Sequence, residues 1–146
     1  MTTYNWSALT NGQSVTFDPV ADTLVINDSS ISATDLSFSF SGNSTPPCTF
    51  SFGGKTITLQ TAFATLTTSN ITFADGSMYL IGDNTTGTAN DGGANTLTGG
   101  GGDDRLIGLA GDDSMAGGAG NDTSTRRLVP PRLGMTQSMA ARVLTR

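Results

Sequence analysis

Apolar and polar residues alternate in short runs over the first half of the chain. Leu36-Ser37-Phe38-Ser39-Phe40 switches at every step, and Thr49-Phe50-Ser51-Phe52 and Thr56-Ile57-Thr58-Leu59 do the same on either side of Gly53-Gly54. A period of two sends alternate side chains to opposite faces of an extended backbone, so each run predicts a strand with one buried face. The glycine pair predicts a tight turn joining the last two runs as a hairpin. Residues 14–17, ended by Asp18-Pro19, and residues 23–26 predict two further strands. Ile71-Thr72-Phe73 and Met78-Tyr79-Leu80-Ile81 flank a turn at Ala74-Asp75-Gly76-Ser77. Residues 61–69 fit a short helix or a strand equally well. The grammar is that of strands and hairpins, and residues 1–80 fit either a small sandwich or an irregular coil.

Past residue 81 the alternation gives way to a longer period. Written in register, the chain reads NDGGANTLT (90–98), GGGGDDRLI (99–107), GLAGDDSMA (108–116) and GGAGNDTST (117–125). The fourth place is always Gly. The sixth is Asn95, Asp104, Asp113 and Asp122. The eighth is Leu97, Leu106 and Met115, then Ser124, where the apolar position fails. A weaker unit fits 81–89. From residue 126 the repeat stops, acids vanish and Arg clusters. The chain thus divides into a strand-rich unit (1–81), a repeat (82–125) and a basic tail (126–146), which is expected to be disordered or the product of a shifted or truncated reading frame.

Composition sharpens this division. All 12 acidic residues are Asp, there is no His, and Cys48 is the only cysteine. A lone cysteine excludes an internal disulfide and a thiolate zinc cluster. The lack of His excludes a zinc protease motif and a serine triad, and leaves Cys48 without an activating base. Cys48, after Pro46-Pro47, reads as an incidental buried thiol, and no enzyme is expected. Residues 1–125 set twelve Asp against Lys55 and Arg105, a balance of −10, while 126–146 carry five Arg. A body so acidic is a poor partner for nucleic acid and a good one for cations. No apolar run reaches the length of a membrane-spanning helix, and MTTYNWSALTNG lacks the features of a cleaved signal peptide.

A Gly/Asp-rich segment without phase would read as a flexible linker. A phosphate-binding glycine loop would need a Lys, which the segment lacks. The nine-residue phase points elsewhere: it resembles the hemolysin-type calcium-binding (RTX) repeat, Gly-Gly-x-Gly-x-Asp-x-U-x with U a large apolar residue.

The resemblance implies an all-β chain in which x-U-x forms a short strand, six residues turn the corner, and two units complete one coil of a parallel β-roll. Residues 18 apart then stack about 4.8 Å apart, and stacked carboxylates repel unless a cation lies between them. Calcium prefers six to eight oxygens. The family pattern implies one site between Asp104 and Asp122, with carbonyls from Gly99, Gly101, Gly118 and Gly120. It implies a weaker one between Asn95 and Asp113, since Asn carries no charge. Asp103 and Asp112 add negative potential without ligating. Residues 71–78 are similar to the lead-in found beside such repeats.

The implied function is a calcium-binding module of a bacterial secreted protein that folds on binding its metal. The implied export route uses no cleaved N-terminal signal, though the Arg-rich tail departs from the family's. The alternatives are a structural or adhesive surface protein with calcium as a stiffener, or a fragment of a larger RTX toxin or enzyme.

Overall fold

The computed structural model describes residues 1–42 and 44–126. The expected basic tail therefore lies outside the described residues, apart from Arg126. The described chain is all-β, with helix confined to single 3-10 turns at Trp6–Ala8 and Phe63–Thr65.

The first unit contains β1 (Thr3–Asn5), β2 (Ser14–Val15), β3 (Thr23–Ile26), β4 (Ser37–Gly42), β5 (Thr45–Phe52), β6 (Lys55–Leu59), β7 (Ile71–Phe73) and β8 (Tyr79–Ile81). The Gly53-Gly54 hairpin is present: β5 and β6 pair antiparallel with Phe52 opposite Lys55. The alternating run before it becomes β4, antiparallel to β5. Elsewhere the pairing is parallel. β3 lies between β1 and β7, and β2 lies alongside β6. Successive strands β1, β2 and β3 thus alternate between two sheets, and β4–β5 is a hairpin inserted into this coil. Turn residues such as Asp18-Pro19 reverse the chain in either arrangement, so the sequence does not separate a hairpin from half a coil. The undecided stretch 61–69 is turn, and its 3-10 segment drives Phe63 into the core.

The repeat supplies β9 (Thr96–Thr98), β10 (Arg105–Ile107), β11 (Ser114–Ala116) and β12 (Thr123–Thr125). Each occupies the seventh to ninth places of its unit, as the repeat implies. β8, β10 and β12 form one parallel sheet and β9 and β11 another. Leu106 lies opposite Ser124 and Met115 opposite Leu97, a step of 18 residues on both sheets. β8 continues the repeat's sheet, with Leu80 opposite Leu106.

Two apolar clusters result. The larger runs from Trp6 to Leu109 and takes only Ile107 and Leu109 from the repeat. At its centre Phe63 stacks against Phe38 and Phe40 at 4.8 and 4.7 Å, and Phe50 meets Tyr79 edge-on at 5.8 Å. The smaller is a ladder of Leu80, Leu97 and Leu106 with Met115 against it.

Candidate metal centre

Three of the four corners of the repeat are built around an Asp that stands one residue before a strand, and Asn95 takes that place before β9. Asp122 Oδ1 accepts the Asp104 N–H at 3.0 Å, and Asp113 Oδ1 accepts the Asn95 N–H at 3.0 Å. The expected pairs Asp104/Asp122 and Asn95/Asp113 are therefore neighbours on successive coils. Asp104 extends the series: its Oδ1 accepts the Met78 N–H at 2.7 Å, and its Oδ2 accepts Gly100 N–H at 2.7 Å within its own turn. Residue 78 precedes β8 as residue 104 precedes β10, so the lead-in supplies the missing coil. Asp103 has a further part: Oδ1 accepts the Asn121 N–H at 2.8 Å, again 18 residues away.

The turns stack backbone on backbone, which is what the glycines permit. Gly120 has φ +133°, and a Cβ there would run into the Gly102 carbonyl. Gly111, at φ +111°, faces the Gly93 carbonyl in the same way. Of the expected carbonyl donors, Gly118 and Gly120 are the receiving partners in these stacks, facing the carbonyls of Gly100 and Gly102. Gly101 forms a parallel bridge with Ala119, and Gly99 faces the Gly117 carbonyl and the Asp104 carboxylate. The 99–104 and 117–122 turns therefore lie side by side, with the carbonyls of Gly100, Gly102 and Gly117 at their contact.

The donor set fits calcium. It consists of carboxylates and peptide carbonyls, the hard oxygens this ion selects. Asp104 and Asp113 are buried, and Asp113 Oδ2 has no hydrogen-bond partner. A buried anionic oxygen without a partner is costly, and a cation removes that cost. Among the described residues no group of three or more acidic, His or Cys side chains converges, so peptide oxygens have to complete any shell.

Asp91 also escaped the sequence reading. It is buried, its Oδ2 lacks a partner, and burial together with neighbouring Asp83 raises its carboxyl above the usual range. The signal was available: Asp91 occupies the second place of its unit, where the family pattern has Gly. Cys48 is buried, and burial pushes its thiol up to about 12. That agrees with an inert, structural cysteine. No helix among the described residues is long and apolar enough to cross a membrane.

Residues 90–123 match the family described as the RTX calcium-binding nonapeptide repeat, in four copies. No curated protein and no solved structure matches the chain.

Proposed function

We propose that this chain, which carries RTX calcium-binding nonapeptide repeats, is a calcium-folded module of a secreted protein and not itself an enzyme. The repeats imply binding of calcium. The finer reading is that 96–125 forms a short parallel β-roll whose turns close around the metal. The observation that carries it is the contact between Asp122 and Asp104 across one 18-residue coil, repeated by Asp113 and Asn95. Stacked in this way, the sixth-place residues line two edges of the coil, Asp104 with Asp122 on one and Asn95 with Asp113 on the other, and calcium offsets the carboxylate repulsion while joining adjacent turns. Asp104 and Asp122 would hold the stronger ion, with carbonyls of the 99–104 and 117–122 turns. Asn95 and Asp113 would hold the weaker one. Calcium is abundant outside cells and scarce inside them, so such a module stays unfolded until export.

The adhesive alternative would draw on an exposed apolar strand face. Among the described residues the exposed large apolar side chains are Met1, Val20 and Met78, none of them within a strand. Far-UV circular dichroism of the full chain during a calcium titration tests the proposal, with magnesium as control. A cooperative gain of β signal with calcium alone is the expected result. An unchanged spectrum at millimolar calcium would refute coupled folding.

A further inference from the structure

Residues 73–81, ahead of the repeat, read Phe-Ala-Asp-Gly-Ser-Met-Tyr-Leu-Ile. Aligned on β8, they form a degenerate unit: Gly76 takes the fourth place, with φ +85°, and Leu80 the eighth. The sixth place holds Met78, so this corner offers no carboxylate there to a metal. It is pinned by other means. Asp75 Oδ1 accepts the Ser77 N–H at 3.0 Å and the Ser77 hydroxyl at 2.8 Å. Ser77 is buried, and its Oγ accepts the Ala33 N–H at 2.8 Å. Tyr79 and Ile81 are fully buried in the large cluster, Tyr79 against Phe50, Phe63 and Phe73. All these partners belong to the strand-rich unit.

The other side of the same corner faces the repeat. Leu80 alternates away from the large cluster and is the first rung of the small ladder. The Met78 N–H donates to Asp104 Oδ1 at 2.7 Å, and the Met78 carbonyl accepts the Arg105 N–H at 2.9 Å. A Cβ on Gly102 would touch the Ser77 backbone, so the two corners stack directly. The second sheet has no such start: among the described residues β9 pairs with β11 alone. A solenoid coil without a neighbour buries little and is costly to begin. We propose, resting on the calcium-coupled folding put forward above, that residues 73–81 are a metal-free first coil that templates the repeat. Calcium-driven folding then enters at Asp104, on the sheet that β8 begins, and reaches β9 and β11 afterwards. Ser77 and Leu80 are positioning residues: they hold no ion, and they set the coil on which the Asp104 and Asp122 turns close.

Pulsed amide hydrogen exchange on the full chain after a calcium jump tests this strand by strand. β10 and β12 are expected to gain protection before β9 and β11. Leu80→Ala should slow the gain at β10, because a contact made early sets the folding rate. Met115→Ala, at the last rung, should leave that rate unchanged and speed the loss of protection on chelation. Leu80→Ala should also raise the calcium midpoint about tenfold. Its calcium-free urea midpoint, followed by Trp6, should not move, because Leu80 is outside the large cluster. Ser77→Ala acts from the other side and should lower the calcium-free protection of the Ala33 amide while raising the calcium midpoint. Simultaneous protection of all four strands, or protection of β9 and β11 first, would overturn the template. So would equal slowing of β10 by Leu80→Ala and Met115→Ala. No gain of protection in any strand with calcium would refute the coupled folding itself, and this proposal with it.

Discussion

The strand-rich unit and the repeat are built on the same plan and held together by different forces. Both stack short parallel strands, and both use an Asp before a strand to catch the neighbouring coil: Asp22 accepts the Thr2 N–H at 2.7 Å as Asp122 accepts that of Asp104. In the first unit the side chains do most of the holding. Phe50, Phe63, Ile57, Leu24 and Tyr79 are fully buried in one cluster. In the repeat only a few apolar side chains reach the interior, Leu97, Leu106 and Met115 from the eighth places together with Ile107 and Leu109, and Gly and Asp turns carry the rest. Burial of apolar surface needs no partner ion. A column of carboxylates and glycines, costly to order and mutually repulsive, does on the function proposed above.

Removing calcium should split the molecule along this line, and this is the largest effect expected. With a chelator, amide hydrogen exchange should collapse to unprotected rates over β9, β11 and β12 while β3, β5 and β6 remain protected. Uniform loss in both regions would mean that the first unit depends on the metal too.

The converse experiment weakens the first unit alone. Phe50→Ala should cost about 3–5 kcal/mol, since Phe50 is fully buried and packs on both Phe63 and Tyr79. Urea unfolding followed by fluorescence of Trp6, in calcium-free buffer, measures it. A loss below about 1 kcal/mol would show that the aromatic cluster is loosely packed.

The repeat was far more legible in the sequence than the coil before it. A fixed period with Gly, Asp and Leu at set places gives strand positions, the 18-residue step and the pairing of Asp104 with Asp122, because repetition converts spacing directly into geometry. The first unit has no such period. Alternation marked β2 to β8 as strands, yet the same alternation serves parallel and antiparallel partners, so the coil formed by β1, β2 and β3 was not specified. The Asp22–Thr2 contact that marks a coil spans 20 residues and occurs once, too little to stand out. Arg105 was illegible for another reason. Its partners are two backbone carbonyls, and backbone groups leave no mark in a sequence.

Arg105 joins the two regions. Sitting next to Asp104, it reaches out of the repeat to donate to the carbonyls of Ala33 at 3.1 Å and Thr34 at 2.5 Å, over the rings of Phe38 and Tyr79. Arg105→Ala should cost about 2–3 kcal/mol, the worth of charged hydrogen bonds in a partly buried setting. Calorimetry in calcium should then resolve two transitions where the unsubstituted protein gives one. Arg105→Lys keeps the charge but not the two-pronged donor, and should recover less than half of the loss. A single transition in Arg105→Ala would show that β8, shared by both regions, couples them without the guanidinium.

The smallest effect is the most specific. Asn95 occupies the place that Asp104, Asp113 and Asp122 hold in the other units, and its Nδ2 donates to the Asn90 carbonyl at 3.1 Å. Asn95→Asp removes that donor and sets a carboxylate against a carbonyl oxygen, so the calcium-free chain should lose protection in the 90–95 turn. The same change adds a charge opposite Asp113, and ligand charge is what tunes calcium affinity. The second site should tighten by about tenfold, or about 1.4 kcal/mol. The two effects have opposite signs, so the substitution should make the repeat more dependent on its ion, the property by which the proposed function separates it from the first unit. Titration calorimetry of Asn95→Asp and of Asn95→Asp with Asp113→Asn decides the matter. The gain must vanish in the double variant, because a carboxylate at 95 acting through the net charge of the repeat would tighten binding whether or not Asp113 faces it.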